Sequence, residues 1–287
     1  RRPSRPAAPG SAPPSTTMYN ENISKSQIEY LKSLKKRKRN ILITQISILV
    51  IIFGLWEISA NLKIIDPFIF SSPSRMFKSF IDLIKTGILW KHTWVTLIET
   101  IIGFLLGTFL GIFIAIIMWW NKFISDVLEP YLVIISSLPK TALAPIIIVW
   151  IGNNMSSIIT IALLTSVVAT LLSVYDGFMH VDKDQIKLIR IFGGTKIQIL
   201  TKVILPSSIP TMVNALKINI GLSYVGVIVG EFLVAKEGLG YLITYSSQTF
   251  KLDTVMLSVI ILAILAWLMY KCVEILEKVV LKKINPQ

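Results

Sequence analysis

Six stretches dominated by apolar residues, separated by short polar segments, run along this chain at roughly 41–60, 94–118, 127–151, 157–178, 209–233 and 254–271. A helix needs about 20 apolar residues to cross a hydrocarbon core of about 30 Å. The pattern therefore predicts an all-α polytopic membrane protein with six transmembrane helices. The sixth stretch is short, and Lys271 can extend it by reaching to the interface. Between the first two stretches, Ser72-Pro73 suits a helix start, with serine as cap and proline in the first position. Phe77, Phe80, Ile81 and Ile84 then recur at helical spacing. They predict an amphipathic helix lying along one membrane face, or a short helix packed on its loop.

The exceptions inside the apolar stretches carry information. Gly103, Gly107 and Gly111 fall on one face of the second span, and Gly226 and Gly230 repeat the spacing on the fifth. Small residues at this interval let helix backbones approach closely, which reads as packing within one subunit. Pro139 and Pro145 interrupt the third span, because each removes a backbone donor. Irregular backbone at membrane depth must be satisfied by protein or by a water-filled cavity, so Lys140 is expected to face the interior. Lys217 and Glu231 carry the same implication, since charge within a membrane marks a functional site by default. An ion pair between Lys140 and Glu231 is an equal alternative. Ser136, Ser137, Thr141, Asn214, Asn219, Ser223 and Tyr224 add hydrogen-bonding groups to the third and fifth spans. Some are expected to face a path, and others to bond a helix backbone.

The longest polar connection, 181–206, reads VDKDQIKLIRIFGGTKIQILTKVILP. Asp182 with Gln185, and Thr195 with Gln198, have capping-box spacing. Gly193-Gly194 separates two short helices. Ile186, Ile189 and Phe192 fall on one side of the first; Ile197, Leu200 and Ile204 mark the second. Pro206 closes the segment. The pattern is a compact knob that a partner could grip, or a helical hairpin lying on lipid.

Composition narrows the class. Of 287 residues, 53% are hydrophobic and 16% charged, and the mean hydropathy is +0.69. A soluble domain carries about 25% charged residues, so an ordinary soluble enzyme is excluded, as is a disordered chain. Cys272 is the only cysteine, which excludes an intrachain disulfide framework and a cysteine metal cluster. The formal charge is +13. With the basic residues placed between apolar runs, this argues for a membrane rather than nucleic acid. If the amino terminus lies inside, 20 Lys and Arg fall on the cytoplasmic side and 7 on the other. The run Lys35-Lys36-Arg37-Lys38-Arg39 just before the first span agrees, and the arrangement is N-in, C-in. Residues 1–17 are Pro-, Ala- and Arg-rich and lack large aliphatic residues. They read as an expression leader with Met18 as the native start, and 18–40 as a basic cytoplasmic segment before a permease domain over 41–283.

Several of these residues together resemble a known family. Gly193, nine residues, Val203, one residue, then Leu205-Pro206 is similar to the signature loop of ATP-binding-cassette importer permeases. Lys187, Leu188 and Ile189 stand where that signature has Glu-Ala-Ala. Ser72-Pro73, the 87–92 stretch, the run from Leu138 to Pro145, and Glu237-Gly238-Leu239-Gly240 resemble the nitrate, sulfonate and taurine subgroup. The likeness covers roughly 41–283 and implies a type I ABC importer permease fold in a prokaryotic cell membrane. It implies a second permease copy or homologue, cytoplasmic ABC ATPase subunits, and an extracellular or periplasmic substrate-binding protein. The ATPase would dock on Asp182, Gln185, Ile189, Phe192, Gly193, Gly194, Thr195, Leu205 and Pro206. Ser136, Ser137, Lys140, Thr141, Asn214, Lys217, Ser223, Tyr224 and Glu231 are candidates for the translocation path. ATP and Mg would be bound by the partner and no cofactor by this chain. No Gly-Lys dipeptide occurs, so a phosphate-binding G-x-x-x-x-G-K-[ST] loop is missing. The expected cargo is a small anion such as an alkanesulfonate, taurine or nitrate. The alternatives are a vitamin precursor, pyrimidine- or riboflavin-like, or a stand-alone secondary transporter coupled through Lys140 and Glu231.

Overall fold

A computed structural model describes residues 25–284, which are almost entirely helical. The reading of residues 1–17 as a leader lies outside the described residues. Two units divide the chain, residues 1–59 and 60–287. Helix α1 (Lys25–Asn61) accounts for the described part of the first. It holds the first predicted span, and Phe53 and Trp56 pair their rings on it.

The second unit is built around α7 (Met155–Met179), flanked by α4 (Ile88–Trp120) and α10 (Leu205–Val234). The predicted glycine faces explain the closeness. An added Cβ at Gly103 would lie 2.8 Å from Ala162 Cβ, and one at Gly111 2.8 Å from Thr170 Cβ. At Gly226 it would lie 2.6 Å from Ala162 Cα. Glycines of α4 and α10 thus seat α7 from two sides, and the contacts stay within this chain, as the spacing suggested. With lipid as solvent, such van der Waals contact between helices replaces the hydrophobic drive of a soluble core. Gly111→Val is accordingly expected to cost about 1–3 kcal/mol through overpacking. Thermal unfolding in detergent would register it. Gly221→Ala, whose new Cβ would meet nothing within 4 Å, should leave the midpoint unchanged or slightly raised.

Five helices among the described residues are long and apolar enough to span a membrane. The predicted third span is not straight. It is α5 (Lys122–Ser137), a 3-10 turn (Lys140–Leu143) and α6 (Ala144–Ile151), bent by 87°. Proline disfavours helical geometry in the residue before it, and Leu138, before Pro139, is extended with ψ 138°. Pro145 breaks nothing, because it stands in the first turn of α6, where no backbone donor is needed. The bent pair makes a sixth candidate span. The final helix, α12 (Leu252–Ile284), is longer than predicted. Lys271 pairs with Glu274 one turn on, so the short sixth stretch needs no extension by that lysine.

Between these lie α2 (Pro67–Phe70), α3 (Pro73–Lys85) and α11 (Leu239–Gln248). The cap of α3 is as predicted: Ser72 Oγ accepts from Arg75 N at 3.4 Å, and Pro73 opens the helix. The helix packs on α12 and α4 rather than lying apart. Met76 is buried and Phe80 packs on the core, while Phe77, Ile81 and Ile84 are exposed. Asp253 ties this helix to α12, accepting from Ser71 Oγ at 2.7 Å and from Arg75 Nη2 at 2.9 Å.

Candidate functional site

The connection between α7 and α10 folds as two short helices, α8 (Lys183–Ile191) and α9 (Lys196–Ile199). Asp182 caps α8, but by accepting from Asp184 N at 2.9 Å; Gln185 makes no return bond, so this half of the predicted pair of capping boxes is absent. The Thr195–Gln198 box is complete, with Gln198 N donating to Thr195 Oγ1 at 3.3 Å and Thr195 N to Gln198 Oε1 at 2.7 Å.

Gly193 and Gly194 end α8 for separate physical reasons. Gly193 N donates to Arg190 O and Gly194 N to Ile189 O, both at 2.9 Å. This is a Schellman turn, which requires a left-handed residue after the helix cap. Gly193 supplies it with φ +76°. Gly194 is there for space, since a Cβ would lie 2.4 Å from Ile189 Cγ2.

Pro206 does not close the segment. The chain continues helically from α9 through a π turn (Leu200–Ile204) into α10, with Leu205 N bonded to Leu200 O. Pro206 stands in the first turn of α10. The wider turn immediately precedes a residue that cannot donate.

The knob's apolar residues divide into two sets. Ile186, Ile189 and Leu200 pack against a core of Phe178, Val181, Ile199, Val203 and Ile204. Phe192 is not on the side of Ile186 and Ile189. It is 81% exposed and stands with Ile191 at 80%, Ile197 at 61% and Leu188 at 54%. Helix α8 is too short to hide both faces, so one anchors the knob and the other forms an uncovered apolar crest. Lys196 holds the base to the end of α4, donating to Trp120 O with its ammonium 5.2 Å from the Trp120 ring.

The polar residues of the spans also separate. Ser136 and Ser137 are exposed at the end of α5, and their hydroxyls donate to Val133 O at 2.7 and 3.0 Å. Lys140 is half-buried beside the break, and its ammonium donates to Ser136 O at 3.2 Å. It forms no ion pair with Glu231. Thr141 and Asn214 are exposed. Lys217 pairs with Glu277 of α12 at 2.5 Å. Tyr224 is buried and donates to Leu262 O at 2.8 Å. Ser223 donates to Asn219 Oδ1, and Asn219 Nδ2 donates to Thr108 Oγ1 of α4 at 2.6 Å.

Glu231 is 1% exposed and belongs to a latch. Its Oε1 accepts from Thr96 Oγ1 and its Oε2 from Gly240 N, each at 2.6 Å. Leu239 N donates to Thr96 Oγ1 at 2.8 Å, and Gly238 N to His92 Nδ1 at 2.9 Å. Three consecutive amides at the start of α11 are thus held by side chains of α4 and α10. Such amides have no partner within their own helix. Sequence reasoning found Glu231 and the Glu-Gly-Leu-Gly run but missed His92, Thr96 and Glu99. An acidic residue deep in the second apolar stretch was the available signal for Glu99.

Long apolar helices meeting at glycine faces, a broken span, and a capped knob with a bare apolar crest make up an all-helical, multi-pass membrane protein. The chain belongs to the family of binding-protein-dependent transport system inner membrane components, whose model matches residues 107–286. It is therefore the permease component of an ABC importer and lies in the inner membrane. It is 30% identical over 227 residues to the formylaminopyrimidine transport permease protein of Halalkalibacterium halodurans, covering 79% of this chain and 90% of that protein. Identity to the riboflavin transport system permease protein of Chloroflexus aurantiacus is 28% over 234 residues, covering 82% of this chain and 87% of that protein. The taurine transport system permease protein of Escherichia coli is 21% identical over 88% and 93%. The inward-facing methionine ABC transporter MetNI shares the fold, with a TM-score of 0.59 at 20% identity, covering 69% of this chain and 97% of that one.

Proposed function

We propose that this permease works as one of a pair, with cytoplasmic ABC ATPase subunits seated on the α8–α9 knob and an external binding protein delivering the solute. The observation that carries this is the bare crest of Leu188, Ile191, Phe192 and Ile197. Four large apolar side chains held outward by a Schellman turn and a capping box suit a groove on a partner protein. Closure of the ATPase pair would move the knobs, and the helical continuity into α10 would carry the motion into the spans. A switch of this kind needs a partner that binds its two states differently. ATP and Mg belong to the ATPase.

The path is proposed along the exposed polar residues Ser136, Ser137, Thr141 and Asn214, with Lys140 at the break as its cation. Ser223, Tyr224 and Glu231 act as fasteners between helices, and Lys217 is neutralised by Glu277. A small anion such as an alkanesulfonate, taurine or nitrate fits that cation. The names of the pyrimidine and riboflavin relatives favour a vitamin precursor as the second cargo class. The test is to reconstitute this chain with the ATPase and binding protein encoded beside it and to measure ATP-dependent uptake. We expect uptake only with all components. Uptake by this chain alone would overturn the reading, as would labelling of a Phe192→Cys, Cys272→Ser chain by a membrane-impermeant maleimide applied from outside.

A further inference from the structure

Helix α1 runs without a break from Lys25 to Asn61, so the basic run and the apolar stretch after it form one continuous element. Six of the eight residues from Lys32 to Arg39 are lysine or arginine, and no acidic residue stands between Glu29 and Glu57. A hollow of about 520 Å³ follows one face of the helix, with Lys36, Arg37, Asn40, Ile41, Thr44 and Gln45 along it. At about 100° per residue, Lys36, Arg37, Asn40 and Thr44 share that face, while Lys35 and Arg39 fall on the opposite one. All of these residues are exposed. Neither Lys36 nor Arg37 has an ion-pair partner among the described residues, and Asn40, Thr44 and Gln45 have no side-chain hydrogen bond there.

Ile41 opens the apolar stretch. Lys36 and Arg37 precede it by about 6–8 Å along the axis, at about 1.5 Å per residue. That is close to the depth of the polar layer flanking a hydrocarbon core of about 30 Å. Asn40 and Thr44 then lie where glycerol and ester oxygens give way to acyl chains. Exposed amide and hydroxyl donors at that level need partners that lipid tails cannot supply. We propose that this face of α1 seats the headgroup of an anionic phospholipid, with Lys36 and Arg37 holding the phosphodiester and Asn40 and Thr44 donating to the oxygens below it. Adjacent cations suit a phosphodiester, because hydrogen bonds between charged partners are the strong ones. A zwitterionic headgroup would bring an ammonium that this acid-free helix cannot receive, so the preferred lipid carries a net negative charge. A cluster of basic residues beside a span is attracted to such lipids, and the helical register adds a position to the attraction by fixing the cations above the neutral donors. The seat concerns lipid alone and stands whether or not the docking and cargo readings hold.

The full chain, purified in detergent, would be titrated with phosphatidylglycerol or with phosphatidylcholine of the same acyl chains, and the first bound lipid counted by native mass spectrometry. We expect a preference of roughly 5–30-fold for phosphatidylglycerol, the sum of two basic residues near a membrane surface. Raising the salt should shrink it. Lys36→Gln combined with Arg37→Gln should abolish most of the preference. Lys35→Gln combined with Arg39→Gln removes the same charge from the opposite face and should keep most of it. Both variants retain four of the six basic residues ahead of the span, so the orientation signal survives in each. Equal affinity of the wild-type chain for the two lipids would overturn the proposal. Equal losses in the two variants would also overturn it, since they would reduce the effect to diffuse attraction without a seat. Displacement of bound phosphatidylglycerol by inorganic phosphate at constant ionic strength would overturn the choice of a lipid as the occupant.

Discussion

Gly238→Ala should lower the unfolding midpoint by at least about 4 °C and detach α11 from its seat. Gly238 has φ +111° and ψ 161°, a region open essentially to glycine alone and worth about 1–3 kcal/mol of strain for any other residue. A Cβ there would also stand 2.4 Å from Glu231 Oε1. That carboxylate cannot retreat easily, because Thr96 and Gly240 hold both its oxygens. Overpacking adds about 1–3 kcal/mol, for a combined cost of roughly 2–6 kcal/mol. At about 2–4 °C per kcal/mol for a chain near this size, the shift is readily measured. Gly221→Ala serves as the control, and an unchanged midpoint for Gly238→Ala would mean that the latch contributes nothing to stability.

Gly193→Asp should reduce uptake by at least about tenfold while the chain still inserts, since it places an unpaired charge in a surface that must lose its water. The new side chain has room, as nothing lies within 4 Å of its Cβ position. The left-handed backbone costs roughly 1–2 kcal/mol, less for aspartate than for most residues. The damage therefore falls on docking. Gly193→Asn makes the distinction: it tolerates the same backbone without the charge and should keep most of the uptake. Equal uptake by the aspartate variant and the wild type would remove the knob from the mechanism. ATP hydrolysis by the assembled complex, measured in parallel, should become independent of transport in the aspartate variant.

The helical spans and the knob could be read from sequence because each depends on local pattern. Apolar length marks a span, Gly-Gly marks a helix end, and Thr195–Gln198 marks a helix start. The 87° bend follows from Leu138-Pro139, but its size depends on how α6 packs against α7, which no local rule supplies. Asp182–Gln185 had the right spacing and failed because Asp182 bonds the nearer amide of Asp184. Periodicity placed Phe192 with Ile189, but Phe192 is the cap residue of α8, beyond the last regular turn, where the helical period no longer applies. The latch was least legible. His92, Thr96, Glu231 and Gly238 are brought together from three elements, and only the tertiary fold makes them neighbours.

The π turn has a mechanical consequence. From Lys196 to Val234 the backbone is one helical run of 39 residues, roughly 60 Å long at about 1.5 Å per residue. Its foot rests on the Thr195 cap, and near its far end Glu231 grips the start of α11. The regular ladder of that run is interrupted at two places, the π turn at Leu200–Ile204 and Pro210 inside α10, both in the half nearer the knob. If the knob moves as proposed, bending would concentrate there, while the stretch from Pro210 to Glu231 would travel as one piece.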